Sequence, residues 1–188
     1  MPTFTVVAGP NGSGKSTLTR IARQVFQEEP ILDPDAVARS RTVASSFGGS
    51  PIDAGREVLA FAEAFLQAKQ SFLVETTLSG NTYLRMMRRA KELGYAVNLI
   101  FVGTTDVAIN LRRVQQRVED GGHDVSEEDQ RRRYPRSMAN LRKALDLADE
   151  AILFDNSGTS HRRLAVKDEQ GIVICSSLPE WASFLRPN

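Results

Sequence analysis

Cysteine and histidine are scarce in this sequence, which limits the chemistry it can support. Its 188 residues contain one cysteine and two histidines. Cys175 has no second cysteine with which to form an internal disulfide, and its position in the apolar run 171–175 predicts a buried, unreactive thiol. His123 and His161 stand far apart without companions at ligand spacing, so we expect no metal site of the Cys/His type.

Long apolar runs and an excess of charge are also absent. No stretch is long enough to span a bilayer, and a predicted strand begins at once, which leaves no room for a signal peptide. We therefore expect a cytoplasmic protein that does not bind membranes. The net charge of +1 argues against a general nucleic-acid-binding surface. Because 41% of the residues are apolar and 25% are charged, we expect residues 1–188 to form a single soluble domain.

A glycine-rich segment near the start of the chain carries the strongest signal. It matches the pattern G-x-x-x-x-G-K-[ST] and consists of Gly9, Pro10, Asn11, Gly12, Ser13, Gly14, Lys15, Ser16 and Thr17. Glycines let such a loop fold around a phosphate, with backbone N–H groups and the next helix N-terminus directed at the anion. Lys15 supplies a positive charge, and Ser16 places a hydroxyl where a Mg²⁺ bridging the outer phosphates would bind. The segment therefore predicts a P-loop that binds ATP or GTP with Mg²⁺.

Short β-rich runs alternate with helical patterns along the chain. This alternation predicts an α/β fold of the three-layer P-loop kinase type, with a mainly parallel sheet flanked by helices. Strands are predicted at 4–8, 30–32, 72–75, 96–102 and 151–154. Helices are predicted at 15–28, 51–69, 83–93, 106–119 and 127–149. A C-terminal β-hairpin is predicted at 162–166 and 172–175, followed by a short helix at 178–185.

Two of the predicted helices carry more detailed signals. Helix 51–69 has an apolar stripe that we expect in the core, formed by Val58, Phe61, Ala62, Phe65 and Leu66. Ser126 and Asp129 have the spacing of a capping box at the start of helix 127–149. Pro135 is expected to kink or restart that helix.

Acidic residues follow the second predicted strand. Ligands of open parallel sheets bind beyond the carboxyl ends of the strands, so polar residues at these ends are candidates for the site. Asp33 and Asp35 lie there, and either carboxylate can accept the proton of an attacking hydroxyl. Asp33 before Pro34 also fits a helix cap, and Asp35 also fits the first turn of a helix.

The third predicted strand ends in Glu75, Thr76 and Thr77. Its tip should lie next to the P-loop. Glu75 is a candidate to orient Mg²⁺ or to hold a substrate hydroxyl, and the two threonines are short hydrogen-bond donors near the same place.

Arginines complete the predicted site. Arg117 lies on helix 106–119, and Arg131, Arg132 and Arg133 lie one turn into helix 127–149. The segment 121–123, Gly-Gly-His, is expected to be a flexible joint that lets arginines close over the transferred phosphoryl group. Helical periodicity leaves open which of the three later arginines faces the phosphates.

Several tracts in combination resemble the zeta toxin-like kinases, over about residues 6–157. Besides the P-loop, they are DPD at 33–35, VETTLSG at 74–80, GYAVNLIFVG at 94–103, RVQQRVEDGGHDV at 113–125, RRRYPRSMANL at 131–141 and DNS at 155–157. The resemblance implies a P-loop kinase that uses ATP to phosphorylate UDP-N-acetylglucosamine on its 3'-hydroxyl. It also implies an antitoxin protein as a partner.

The resemblance further implies roles for individual residues. Asp35 would receive the hydroxyl proton, and Lys15 and Ser16 would hold the triphosphate and Mg²⁺. Glu75 and Thr77 would contact the sugar nucleotide, while Arg117 and Arg133 would hold phosphate. The family also has a substrate-binding arginine shortly after the Glu-Thr tract. Here Ser79, Gly80 and Asn81 stand at that place, and Arg85 is the nearest positive charge.

Other classes of P-loop protein fit parts of the sequence. The run 78–80, Leu-Ser-Gly, is similar to the start of an ABC-transporter signature, but the chain is short for such a domain and lacks the acidic motif that should follow. A kinase for another small metabolite, or for a polynucleotide gripped by the basic helix 83–93, remains an alternative. So does a nucleotide-binding regulatory module without turnover.

Overall fold

The structure is a computed structural model that describes residues 1–25, 30–33 and 51–186. Its strands are β1 (Thr3–Ala8), β2 (Ile31–Leu32), β3 (Phe72–Thr76), β4 (Ala96–Gly103), β5 (Glu150–Asp155), β6 (Arg162–Asp168) and β7 (Gly171–Ile174). Its helices are α1 (Lys15–Val25), α2 (Pro51–Ala68), α3 (Thr82–Glu92), α4 (Val107–Glu119) and α5 (Glu127–Leu147). A 3₁₀ helix, Glu180–Leu185, follows β7. Among the described residues, no helix is both long and apolar enough to cross a membrane.

The strands form one mixed sheet in the order β2-β3-β1-β4-β5-β6-β7. The first five strands in this order pair in parallel, and β6 and β7 add an antiparallel hairpin at one edge. The predicted α/β fold with its C-terminal hairpin is therefore confirmed. Because β1, β3, β4 and β5 run in the same direction, the loops that follow them lie together at the carboxyl ends of the strands.

The main core packs helices against this sheet. Phe4 of β1 stacks on Phe72 of β3, with ring centroids 4.6 Å apart, and Tyr95 meets Phe72 edge-on. Val58, Ala62 and Leu66 of α2 are buried in this cluster. Aliphatic side chains of α3 and α5 belong to the same cluster, so the sheet is covered where it carries the P-loop strand.

Phe61 does not belong to the core, contrary to the predicted stripe, because it is 46% exposed. Successive helical residues are turned by about 100°, and Val58, Ala62 and Leu66 centre the buried face of α2 near Ala62. Phe61 then lies about 100° from that centre, at the margin of the face. The other four members of the stripe are buried or half-buried.

Cys175 is exposed, so the prediction of a buried thiol is wrong. The apolar run before it forms β7, which is the last strand of the sheet. The exposed fractions of Ile172, Val173 and Ile174 are 44%, 58% and 39%. A continuous apolar run is buried on both faces only when other layers cover the strand, and this edge strand is not covered in the described structure.

Helix α5 runs without a break through Pro135, so it does not restart there, and the kink that the sequence offered as the alternative stays a prediction. Tertiary contacts hold the helix on both sides of the proline. Tyr134 donates to the carbonyl of Thr104 at 2.6 Å, and Asn140 donates to the carbonyl of Leu78 at 3.0 Å. The predicted cap is present, since the Ser126 hydroxyl accepts from the N–H of Asp129 at 3.2 Å.

Candidate active site

The P-loop connects the end of β1 to the start of α1. Gly12 and Gly14 adopt positive φ angles of 71° and 98°, a conformation that side-chain-bearing residues rarely take. The Lys15 ammonium is buried and donates to the carbonyl of Pro10 at 3.0 Å, so it closes the loop. Helix α1 begins at Lys15, which directs the positive end of its dipole at the loop.

The loop has the features of an anion cradle. The Asn11 Oδ1 and Ser13 Oγ atoms are buried and have no hydrogen-bond partner among the described residues. Buried polar atoms are normally paired, so such atoms in a glycine-rich loop indicate a polar ligand. The Asn11 Oδ1 only accepts hydrogen bonds, whereas the Ser13 hydroxyl can donate to a phosphate oxygen. Together with Lys15 and the N–H groups of the loop, Ser13 therefore fits the triphosphate of a nucleotide.

Glu75 lies directly under the P-loop helix. Its two carboxylate oxygens accept hydrogen bonds from the Ser16 hydroxyl at 3.0 Å and from the Thr19 hydroxyl at 2.9 Å. The parallel register explains this proximity, because Val7 of β1 is paired with Glu75 of β3. The structure thus brings together Ser16 and Glu75, which the sequence predicted as metal-binding residues.

This pair fits Mg²⁺ only in part. Mg²⁺ is commonly bound by one or two carboxylates together with phosphate oxygens and water. The described residues contain no group of three or more His, Cys, Asp or Glu side chains that would hold a metal. Ser16 and Glu75 would therefore bind the ion together with a nucleotide, as in P-loop enzymes that hold the ion through the P-loop hydroxyl.

The loop after β3 is strained and braced. Leu78 has a φ of 55°, which is rare for a bulky residue, yet its side chain is only 1% exposed. The Thr76 hydroxyl accepts from the N–H of Leu78 at 3.0 Å, and the hydroxyls of Thr77 and Ser79 are 3.0 Å apart. Because Ala8 is paired with Thr76, this loop starts beside the P-loop.

The predicted arginines are held by other groups in this structure. Arg117 donates to the carbonyl of His123 at 2.7 Å, and its Nε is buried without a partner among the described residues. Helix α4 ends in a hydrogen-bonded turn at Gly121, whose N–H donates to the Val118 carbonyl at 2.9 Å, and the flexible joint at 121–123 stays a prediction. Arg133 pairs with Asp129 at 2.9 Å.

The three arginines of α5 differ in exposure. The side chains of Arg131 and Arg132 are 56% and 49% exposed, and that of Arg133 is 34% exposed. All three pair with carboxylates in the first turn of the same helix, Arg131 with Glu127 and the other two with Asp129. To contact phosphate, Arg133 must exchange this carboxylate for the ligand.

The remaining predicted site residues are Asp33, Asp35 and Arg85. Asp33 is half-buried at the end of the described segment 30–33, and Asp35 lies outside the described residues. Arg85 is exposed on α3, and in the described part of the chain no hydrogen bond or ion pair joins it to Glu75 or to the P-loop. Their proposed roles therefore remain predictions.

Three side chains that the sequence did not single out contact the P-loop. Asn110, Asn156 and His161 all reach backbone carbonyls of the loop. Asn156 belongs to the DNS tract, the one local signal that pointed to this group.

Comparisons with known proteins relate this chain to one family. The Zeta toxin family model matches residues 1–163. An uncharacterized protein from Haemophilus influenzae is 36% identical over 126 residues, which are 67% of this chain and 88% of that protein.

Solved structures resemble the fold at low sequence identity. The complex of AvrRxo1-ORF1 and ORF2 with ATP matches at a TM-score of 0.75 and 15% identity, over 93% of this chain. This chain spans 61% of the length of that one. The PezAT toxin-antitoxin system of Streptococcus pneumoniae matches at a TM-score of 0.57 and 18% identity, over 86% of this chain and 72% of that one. These likenesses show the α/β fold.

Proposed function

The chain belongs to the zeta toxin family and is an ATP-dependent kinase with a P-loop fold, and from this premise we propose its acceptor. It transfers the γ-phosphoryl group of ATP to a hydroxyl of a sugar nucleotide, such as UDP-N-acetylglucosamine. The resemblance of the sequence tracts supports this acceptor, and phosphoryl transfer is supported by the hydrogen-bonded cluster of Ser16, Thr19 and Glu75. This cluster puts hydroxyl and carboxylate oxygens where a Mg²⁺ on the outer phosphates would bind.

Each proposed residue has one task in the transfer. Lys15 neutralises charge on the outer phosphates, and Asp35 accepts the proton of the attacking hydroxyl. Arg117 and Arg133 leave their present partners and stabilise the charge of the transferred group. When bound, Mg²⁺ supplies further neutralisation of the phosphates.

The contacts of Glu75 favour a metal role over an acceptor role. Both of its oxygens already accept from α1 hydroxyls, so the carboxylate is fixed toward the P-loop. Thr76, Thr77, Asp33 and Arg85 remain the proposed contacts to the acceptor.

Two further features support a small acceptor over a polynucleotide. The basic helix α3 would grip a nucleic-acid backbone, but Arg89 pairs with Glu63 at 2.9 Å, and Lys91 pairs with Asp149. Their charges are thereby partly neutralised. Salt-sensitive binding of oligonucleotides would contradict this view.

An antitoxin protein is the proposed partner. The names of two similar structures describe complexes, AvrRxo1-ORF1 with ORF2 and the PezAT toxin-antitoxin system. Because ATP and UDP-sugars are metabolites of the cytoplasm, we propose that the enzyme acts there.

The test is a direct search for the acceptor. The purified protein is incubated with Mg-ATP and a panel of UDP-sugars, nucleosides and oligonucleotides, and mass spectrometry identifies any compound that gains a phosphoryl group. We expect phosphorylated UDP-N-acetylglucosamine. Slow ATP hydrolysis with no modified acceptor would contradict the sugar-nucleotide assignment.

Variants separate the roles of Lys15 and Asp35. Lys15→Ala should abolish transfer, and Asp35→Asn should lower kcat by about 10²- to 10⁴-fold, the usual contribution of a general base, while ATP binding remains. Glu169→Gln removes an exposed carboxylate at the β6–β7 turn and serves as the control. Equal kcat in Asp35→Asn and wild type would exclude Asp35 as the base.

A further inference from the structure

We propose that Asn110, Asn156 and His161 are positioning residues that hold the P-loop in its nucleotide-binding conformation by binding its carbonyl groups from outside. The inference rests on nucleotide binding by the P-loop, which the proposed function requires, but not on the identity of the acceptor.

Each of the three side chains contacts a different carbonyl. The Asn110 amide donates to the Asn11 carbonyl at 2.7 Å, and the Asn156 amide donates to the Ser13 carbonyl at 2.8 Å. His161 Nε2 lies 3.2 Å from the Gly14 carbonyl, which it contacts as a donor when that nitrogen carries the proton. Together with Lys15 on the Pro10 carbonyl, side chains bind four of the carbonyls from residue 10 to residue 14.

Binding a carbonyl also orients the following N–H group. In a trans peptide the C=O of one residue and the N–H of the next are coplanar and point in opposite directions. The structure has no cis peptide bond in its described part. Contacts to the carbonyls of Asn11, Ser13 and Gly14 therefore turn the N–H groups of Gly12, Gly14 and Lys15 away from the positioning side chains, as a phosphate cradle requires.

The positioning side chains are themselves fixed. Asn110 is 1% exposed, and its Oδ1 accepts from the Thr104 hydroxyl at 2.6 Å, which determines the orientation of the amide. Arg113 donates to the carbonyl of Asn156 at 2.7 Å and to that of Gly158 at 2.8 Å. The backbone N–H of Asn156 donates to the Gly103 carbonyl at 2.9 Å. Asn110 and Asn156 are thus both attached at the end of β4, Asn110 through Thr104 and Asn156 through Gly103. Such support preorganises a loop before its ligand arrives.

The glycines of the loop fit these contacts. A Cβ atom at Gly12 would lie 2.5 Å from the backbone oxygen of Asn110. A Cβ atom at Gly14 would lie 2.4 Å from Asn156 Nδ2 and 3.0 Å from His161 Nε2. The close approach of the positioning groups and the absence of side chains at Gly12 and Gly14 therefore depend on each other.

The test measures ATP affinity without an acceptor. Asn110→Leu and Asn156→Leu keep approximately the side-chain shape and remove the donor without adding charge. Isothermal titration calorimetry with Mg-ATP should show a Kd raised about tenfold or more for each, as expected for a lost buried hydrogen bond. Cooperative thermal melting without nucleotide will show that each variant is folded, so that the change in Kd does not reflect a general loss of structure. The matched control is Asn98→Leu, the same change at a half-buried amide of β4 that makes no contact with the P-loop among the described residues, which should leave the ATP Kd unchanged.

A pair of variants at His161 keeps the test independent of folding. The residue is half-buried, so His161→Leu is expected to fold, as thermal melting without nucleotide will check. His161→Leu should weaken ATP binding, and His161→Gln should restore it because the amide again offers a donor.

The possible failures are distinguishable. Folded variants at the three positions that bind Mg-ATP as wild type does would overturn the inference. The same holds if His161→Gln binds Mg-ATP as weakly as His161→Leu. A wild-type protein that binds no ATP would instead overturn the proposed function.

Discussion

At the scale of single residues, Glu75 connects the P-loop helix to the neighbouring strand. Its carboxylate is 9% exposed and accepts from two hydroxyls of α1, so its position is fixed before any ligand binds. The hydroxyl of Ser16 would have to turn its lone pairs toward Mg²⁺, and Glu75 can accept the hydrogen bond of that hydroxyl in this orientation. Glu75 is thus suited to orient the ligands of the metal rather than only to bind it.

Replacing the Glu75 carboxylate should lower the apparent affinity for Mg²⁺. In Glu75→Gln one acceptor oxygen becomes an NH₂ donor, which cannot accept from Ser16 or Thr19. We expect the apparent affinity for Mg²⁺ to fall about 10- to 100-fold, the usual effect of losing a group that orients metal ligands. Initial rates measured across a Mg²⁺ titration will check this. Glu119→Gln, an exposed carboxylate at the end of α4, is the control. An unchanged Mg²⁺ dependence would rule out the metal role.

At the scale of elements, α5 braces the loop after β3, which is the proposed acceptor side of the site. The Asn140 amide donates to the Leu78 carbonyl at 3.0 Å and to the Gly80 carbonyl at 3.4 Å. Leu78 has a left-handed conformation that costs roughly 1–2 kcal/mol for a residue with a side chain. Burial of its side chain and the Asn140 contacts offset this cost. The buried Leu78 side chain and the Asn140 hydrogen bonds thus hold Thr77 and Ser79 in one arrangement beside the P-loop.

Removing the Asn140 amide should weaken binding of the acceptor and leave binding of the nucleotide unchanged. In Asn140→Leu two loop carbonyls lose their donor, so the loop relaxes and its hydroxyls lose their arrangement. We expect the acceptor KM to rise about tenfold, and the ATP Kd to remain unchanged. Steady-state kinetics with each substrate varied in turn will separate the two constants. A rise confined to the ATP constant would contradict this role. Leu78→Gly relieves the strain but also removes a buried core side chain, so it should raise the acceptor KM and lower the stability by about 2–5 kcal/mol.

The same helix joins the two sides of the site. Tyr134 donates to the carbonyl of Thr104 at 2.6 Å, and burial raises the pKa of Tyr134, so its hydroxyl stays protonated. The hydroxyl of Thr104 in turn donates to Asn110, which binds the P-loop. Helix α5 is therefore connected by hydrogen bonds both to the P-loop and to the loop after β3.

Local patterns predicted most elements, because their information lies within a few residues. The P-loop, the strand ends at Glu75 and the Ser126 cap are of this kind. Contacts between distant residues were not predictable in the same way. Asn110, Asn156 and His161 reach the P-loop across 99, 143 and 147 residues of sequence. Exposure of Cys175 and continuity of α5 at Pro135 also depend on what lies beside them in space.

At the scale of the whole molecule, the C-terminal segment is built into the same sheet. The family match ends at residue 163, but β6 continues beyond that point and pairs with β5. Trp181 of the 3₁₀ helix lies over Gly103, where a Cβ atom would meet the indole ring at 2.6 Å. Its ring also packs near Phe101, with centroids 6.0 Å apart. The end of β4 therefore carries both the support of the P-loop and the C-terminal segment.

Because Trp181 is the only tryptophan, its fluorescence reports on the packing of this C-terminal segment against the end of β4. If residues 1–188 form a single cooperative domain, the unfolding transition followed by Trp181 fluorescence should coincide with the one followed by far-UV circular dichroism. Saturating Mg-ATP should shift both midpoints to higher denaturant by the same amount, because the ligand binds only the folded state. Trp181→Phe removes the fluorescence signal and confirms its origin. A Trp181 transition that precedes the loss of helix, or that does not respond to Mg-ATP, would show that the segment after β5 unfolds separately from the P-loop sheet.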